Sequence, residues 1–208
     1  EHVMHHSYEY QGMSELLVVT QLTEKLNFAY AEALGTGKGH AALGPAGTGK
    51  TETAKDFAKK LGRNMVVINC SDEDKLIGEI KSKFNAVRHG SVWMCMDEFN
   101  RIPTEGIEDL LKHFASGHLP KQETGYFITM NPGYAGRTYC HFNPQEWMVN
   151  HMSVPSVNEI AQNMLATAGF HSYEEMGTRL MKWQYNSIWK LSKAAQYDWG
   201  LRKVRQII

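Results

Sequence analysis

Gly44-Pro45-Ala46-Gly47-Thr48-Gly49-Lys50-Thr51 satisfies the pattern G-x-x-x-x-G-K-[ST] at every specified position. Three glycines let the backbone curl until several N–H groups point inward at a phosphate chain. A helix beginning near Lys50 adds its positive N-terminal end. In a loop of this type the lysine, here Lys50, reaches the β- and γ-phosphates, and the Thr51 hydroxyl ligates Mg²⁺. The ligand class is therefore a nucleoside triphosphate with Mg²⁺. The flanks agree. Ala41-Ala42-Leu43 can end a buried strand, and Ala54, Phe57, Ala58 and Leu61 recur at helical spacing. Gly62 then stands where a helix C-terminal glycine belongs.

Outward from this loop, apolar runs alternate with helical patterns. Met65–Cys70 reads as a short buried strand, and Ser71 can cap a helix whose inner face is Leu76, Ile77, Ile80 and Phe84. Val92–Met96 is another apolar strand, ending in Asp97-Glu98. A helix over 105–116 follows, with Ile107, Leu110, Leu111 and Phe114 inward. Tyr126–Met130 is a further strand, ending at Asn131. Before the loop, Leu16–Val19 looks extended, and Leu22, Leu26, Ala29, Tyr30 and Ala33 mark a helix. Strands alternating with helices call for a parallel sheet with ligand chemistry at the strands' C-terminal ends. From residue 153 onward the strands stop. Ser156 and Glu159 have capping-box spacing, and Val157, Ile160, Met164, Leu165 and Ala168 mark one helical face. The predicted organisation is a lead-in segment at 1–13, an α/β nucleotide-binding subdomain at 14–152 and a small helical lid at 153–208.

The chemistry expected at the strand ends is specific. A carboxylate beside the phosphate loop can hold Mg²⁺, usually through water, which assigns Asp97. The next carboxylate can orient and polarise an attacking water, which assigns Glu98. An amide at the end of the neighbouring strand, Asn131, can hydrogen-bond both the γ-phosphate and that water. Arg202, behind Gly200, can reach the γ-phosphate from the lid.

Composition narrows the function classes. The 208 residues carry 22 basic and 22 acidic side chains, so no global field favours nucleic acid or an anionic membrane. No apolar run approaches the roughly 20 residues of a membrane-spanning helix, and no signal peptide is visible. Three cysteines without paired spacing argue against a disulfide framework or a zinc site and suit a reducing, cytosolic setting. The chain begins at Glu1 rather than Met, as a segment of a longer chain would.

The order of phosphate loop, Asp-Glu strand, Asn-ended strand and helical lid resembles the AAA+ class of P-loop NTPases. Gly44–Thr53, Asn69–Asp72, Asp97–Ile102, Phe127–Arg137 and Tyr197–Arg202 resemble the first AAA+ module of dynein heavy chains, collinearly over nearly the whole chain. Tyr8–Gly12 and Leu17–Thr23 resemble the segment before that module, which packs against adenine. Tyr8–Gly12 and Tyr197–Arg202 resemble ciliary transport dyneins, whereas residues 127–137 resemble cytoplasmic or axonemal ones. The resemblance implies ATP hydrolysis that powers a minus-end-directed microtubule motor. It implies nucleotide binding by Gly44, Pro45, Ala46, Gly47, Thr48, Gly49, Lys50, Thr51 and Glu52. It implies Mg²⁺ binding by Thr51 and Asp97, catalysis by Glu98, and sensor roles for Asn131 and Arg202. Val18, Val19 and Leu22 would border the adenine. Implied partners are neighbouring AAA+ modules, one supplying an arginine in trans, and the linker and accessory chains of the motor. The microtubule would be touched only indirectly, in a cytoplasmic, cytoskeletal or ciliary setting. The alternative is a nucleotide-binding structural or regulatory module with little turnover in isolation.

Two departures from the family pattern stand out. The interval between Glu98 and Asn131 is short, so a hairpin insert that touches the linker is missing. The family's Leu-Phe-Arg-Pro before Val154-Pro155 is replaced, with Met148 near the arginine's place. That arginine acts on a neighbour's nucleotide.

Overall fold

The computed structural model describes residues 4–12, 17–71, 74–89, 92–116, 124–133, 136–192, 194, 199 and 201–208. Within them lie five strands: β1 (Gly39–Leu43), β2 (Met65–Asn69), β3 (Trp93–Asp97), β4 (Tyr126–Met130) and β5 (Trp147–His151). The seven helices are α1 (Gln21–Gly35), α2 (Lys50–Lys60), α3 (Asp74–Arg88), α4 (Thr104–Ser116), α5 (Val157–Thr167), α6 (Tyr173–Lys190) and α7 (Leu201–Ile207). A 3-10 turn, Phe99–Arg101, follows β3.

All strand pairs are parallel, in the order β2-β3-β4-β1-β5. This is the helix-flanked parallel sheet that the alternation of apolar strands and helical patterns predicts. Both faces are covered, so the strands read as near-continuous apolar runs. Successive residues nevertheless serve opposite cores, because side chains alternate along a strand. Met94 and Met96 of β3 join Tyr126 and Ile128 of β4 under Ile80 and Phe84 of α3 and Leu110 and Phe114 of α4. Trp93, Cys95 and Phe127 face the other way, against Leu26 and Tyr30 of α1 and Ala54 and Phe57 of α2. Aromatic pairs fix both layers: Phe84 to Phe114 and to Tyr126 at 4.6 Å, and Trp93 to Phe127 at 5.5 Å. Such pairs add about 0.5–1.5 kcal/mol each beyond burial. Cys70, Cys95 and Cys140 are free and buried, and burial pushes the Cys70 and Cys140 thiols up to about 12.

Strand β5 is a correction to the sequence reading, which stops at four strands. Trp-Met-Val-Asn-His is short and carries two polar residues, so its strand signal is weak. It forms because β1 has a free edge on that side, and Trp147 seals it. The Trp147 ring lies over Gly39, where any Cβ would come within 2.5 Å of it, and packs on Phe142 and Phe114. Met148 sits inside this strand, paired with His40. Helix α3 is described from Asp74 onward, and residues 72 and 73, which separate it from the expected cap Ser71, lie outside the described residues. Residues 117–123, in the interval expected to lack the hairpin, lie outside the described residues.

The chain folds as two compact units, one of residues 1–17 and 22–153, the other of residues 18–21 and 154–208. In the helical unit Ser156 caps α5 by accepting from the Glu159 N–H, as predicted. The buried face of α5 differs from the expected one. Ala161 and Leu165 are buried, whereas Ala168 is exposed at the C-cap. The cause is the close approach of α6, where a Cβ on Gly177 would stand 2.5 Å from Gln162 Cγ. Small residues set that crossing. Val204 of α7 is buried. No helix among the described residues is long and apolar enough to cross a membrane.

His40 on β1 is fully buried. Its ring lies 4.6 Å from Tyr30, and Nε2 stands 2.9 Å from Asn150 Oδ1. Burial lowers its pKa to about 4, and the Asn150 contact opposes this only partly. Between that value and the ordinary 6.5 the unfolded chain takes up a proton that the folded chain rejects. Stability is therefore lost as pH falls through this window. The expected loss between pH 7 and pH 5 is about 2 kcal/mol, read from urea unfolding, with His40→Gln losing much less. Equal pH dependence in parent and variant would remove His40 as the cause.

Candidate functional site

The parallel register brings three strand ends to one edge. Leu43 pairs with Met130, and Asn69 pairs with Asp97. The residues that follow these ends, Gly44, Glu98 and Asn131, thus gather although they are far apart in sequence. The phosphate loop leaves β1 at Gly44, where there is no room for a side chain, because a Cβ would meet the Met152 carbonyl oxygen. Gly47 and Gly49 take φ of 75° and 86°, the left-handed region that glycine enters at no steric cost. Pro45, Ala46 and Gly47 form the exposed tip, while Thr48 and Lys50 are buried below it. Thr48 Oγ1 donates to the Pro45 carbonyl at 3.0 Å, and Thr53 Oγ1 to the Gly49 carbonyl at 2.8 Å. These bonds hold the curl. Helix α2 starts at Lys50, so its unpaired N–H groups and positive dipole end open onto the loop.

The Lys50 ammonium sits at the centre of the site. Nζ donates to the Gly44 carbonyl at 2.7 Å, the Pro45 carbonyl at 2.6 Å and Asn131 Oδ1 at 2.7 Å, with Thr48 Oγ1 at 3.3 Å. Burial lowers its pKa to about 8, and the charges of Asp97 and Glu98 oppose the shift. Asn131 is buried and uses both ends of its amide: Oδ1 accepts from Lys50, and Nδ2 donates to Glu98 Oε1 at 3.3 Å. Its backbone carbonyl accepts from Asn100 Nδ2 at 3.1 Å.

Asp97 ends β3. Its Oδ1 accepts from Thr51 Oγ1 at 2.6 Å and from Thr129 Oγ1. Thr129 Oγ1 also accepts from the Glu98 N–H at 3.1 Å, so one hydroxyl braces both acidic residues. The adjacent Thr51 hydroxyl and Asp97 carboxylate are hard oxygen donors, the chemistry Mg²⁺ takes when it binds alongside phosphates. Glu98 has φ 53° and ψ 41°. A left-handed conformation costs a non-glycine residue about 1–2 kcal/mol, so its surroundings must hold it there. Arg101 Nε and Arg137 Nη2 both contact Glu98 Oε2, the latter at 3.3 Å.

The structure thus brings together Lys50, Thr51, Asp97, Glu98 and Asn131 beside the phosphate loop. Glu52 is not part of that cluster. Its carboxylate lies near the surface, 2.8 Å from Lys55 Nζ, and only its backbone faces the loop's helix end. Leu22 is half-buried and packs against the core layer that holds Tyr30 and Phe57. Val18 and Val19 belong to the helical unit. Arg202 lies in α7, and its side chain is outside the described residues. The sequence reading missed Thr129, Asn100, Arg101 and Arg137. Only Thr129 carried a local signal: it is the one polar residue inside an apolar strand, on the same face as Asn131 two positions on.

Comparison with known proteins agrees with this geometry. A family model described as the hydrolytic ATP binding site of the dynein motor region matches residues 6–110 and 111–208. The dynein-1-beta heavy chain of the flagellar inner arm I1 complex of Chlamydomonas reinhardtii is 36% identical over 96% of this chain and 5% of its own length. Dynein axonemal heavy chain 10 of Homo sapiens is 35% identical over 98% of this chain and 5% of its own length. The corresponding figures for dynein axonemal heavy chain 5 of Rattus norvegicus are 35%, 96% and 6%. The chain therefore spans about a twentieth of these relatives. With its loop, Asp-Glu strand and Asn-ended strand gathered at one sheet edge, and with this identity along nearly its whole length, the chain belongs to the dynein motor family, in the segment described as the hydrolytic ATP binding site.

Proposed function

We propose that this chain binds ATP with Mg²⁺ and hydrolyses it, as one ATPase module of a dynein-type motor. The observation that carries the reading is the continuous polar chain from Lys50 through Asn131 to Glu98, with Thr51 and Asp97 bonded alongside. A polyphosphate would take over Lys50 from the Gly44 and Pro45 carbonyls, supported by the loop N–H groups from Ala46 to Thr51 and the backbone of Glu52. Thr51 and Asp97 would hold Mg²⁺, which when bound draws electron density from the phosphate oxygens and offsets their charge. Glu98 orients a water, and the water oxygen attacks the γ-phosphorus. The bond to the β–γ bridging oxygen breaks, Glu98 accepts the water's proton, and ADP and inorganic phosphate result. Asn131, between Lys50 and Glu98, aligns phosphate and water. Arg202 would be a second sensor, and Val18, Val19 and Leu22 would border the adenine.

In the longer protein this turnover would power movement along microtubules, with the track contacted elsewhere in the chain. Neighbouring AAA+ modules, the linker and the accessory chains are the proposed partners. The relatives named as axonemal and flagellar dyneins support a cytoskeletal, ciliary location. Met148, a β5 residue near the place where the resemblance puts the family's trans-acting arginine, supports a narrower role: this module would serve its own pocket but not a neighbour's. If that pocket in turn depends on an arginine from another module, turnover per molecule will climb with protein concentration. A flat, near-zero rate would favour a nucleotide-binding module.

Glu98→Gln is expected to keep ATP binding while lowering turnover by at least about 100-fold, measured by phosphate release and by a fluorescent nucleotide. Equal rates in parent and variant would remove Glu98 as the base. Phosphate recognition by Lys50 needs its proton, which burial holds only to about pH 8. Affinity for Mg·ATP is therefore expected to weaken about tenfold between pH 7 and pH 9. A flat profile would mean that the ammonium does not carry the binding.

A further inference from the structure

We infer that Arg137 is a positioning residue that orients the Glu98 carboxylate, an inference that rests on the ATPase reading of this site. The two carboxylate oxygens are in different surroundings. Oε2 is contacted by two guanidinium groups, Arg101 and Arg137. Among the described residues Oε1 meets only the Asn131 amide, which in turn contacts Lys50. Anchoring one oxygen from behind leaves the other turned toward the phosphate side. A glutamate has three rotatable bonds, and this one leaves a strand in a left-handed conformation. Without an anchor its carboxylate would sample several rotamers, and a base must be held in one geometry to act.

Arg137 suits the role better than Arg101. Its side chain is the more buried of the two, 15% exposed against 49%. Its segment is tied to the turn that follows Glu98: the Thr138 N–H donates to the Asn100 carbonyl at 2.9 Å, and Thr138 Oγ1 to the Ile102 carbonyl at 2.9 Å. The anchor and the carboxylate thus move as one body. Arg137 Nη1 is buried without an acceptor among the described residues. An arginine present only to stabilise the fold would have its buried donors paired, because leaving one unmade is costly.

The test compares Mg·ADP with Mg·ADP plus aluminium fluoride, a mimic of the transferring phosphoryl group and its attacking water, by calorimetry on the full chain. Arg137→Gln is expected to bind Mg·ADP within about threefold of the parent but the mimic at least about tenfold more weakly. Arg137→Lys, which keeps the charge, should regain part of the loss. In a Glu98→Gln background the Arg137 substitution should add nothing, since its effect passes through that carboxylate. Unchanged affinity for the mimic overturns the inference while leaving the ATPase reading intact. So does a loss that persists in the Glu98→Gln background, or an equal loss of Mg·ADP. A parent that binds Mg·ADP no better with fluoride than without it overturns the hydrolytic reading and Arg137's role with it. A misfolded Arg137→Gln is recognised by its circular dichroism and not by its nucleotide affinity, and Arg137→Lys then decides: the inference fails if that variant folds and binds the mimic no more tightly than ADP.

Discussion

The Lys50 ammonium is buried among the oxygens of Gly44, Pro45, Thr48 and Asn131, close to two acidic side chains. A charge in that position is tolerable only if every proton has an acceptor. That requirement fixes the path of the loop, whose first two carbonyls must turn inward. It also fixes the depth of α2, whose first residue is the lysine itself. It couples the loop to β4 through Asn131 and, by way of Asn131, to Glu98. The same acceptors could be exchanged for phosphate oxygens without moving the strands, which is why the arrangement suits a ligand as well as a fold.

The sheet is the device that makes this convergence possible. The central strands β3 and β4 are buried on both faces, so each is apolar along most of its length and turns polar where it ends. Asp97 and Asn131 follow directly from that rule: they are the positions at which β3 and β4 run out into the loops. Thr129, like His40 in β1, is a buried polar residue inside a strand, and its hydroxyl is satisfied twice, by Asp97 and by the Glu98 N–H. A buried polar residue so fully employed stiffens the acidic pair rather than weakening the sheet. Behind it, Asn100 and Thr138 join the turn after β3 to the loop after β4, so the site rests on two linked loops rather than on isolated side chains.

The limits of local reading are clearest at the sheet edge and at Glu98. Strand β5 pairs with a segment more than a hundred residues earlier, and its five residues carry too little periodicity to announce themselves. What makes them a strand is the open edge of β1 and the glycine at position 39 that admits the Trp147 ring. The buried face of α5 likewise escapes its periodicity, because a neighbouring helix with a glycine at its crossing selects which small residue turns inward. The ion pairs of Glu98 with Arg101 and Arg137 carry no sequence signature, since neither the spacing nor the residue types distinguish them from solvated surface charges.

By itself the sequence determined the phosphate loop, the acidic strand end, the amide strand end and the alternation that calls for a parallel sheet. Each of these is a local pattern: glycines where the backbone must turn left-handed, apolar runs where a strand is buried, a polar residue where the run stops. Only the tertiary structure decided the strand order, the added edge strand, the double service of Thr129 and the direction in which Glu98 points. Those depend on which distant segments share a boundary, and burial energy chooses that boundary for the chain as a whole rather than residue by residue.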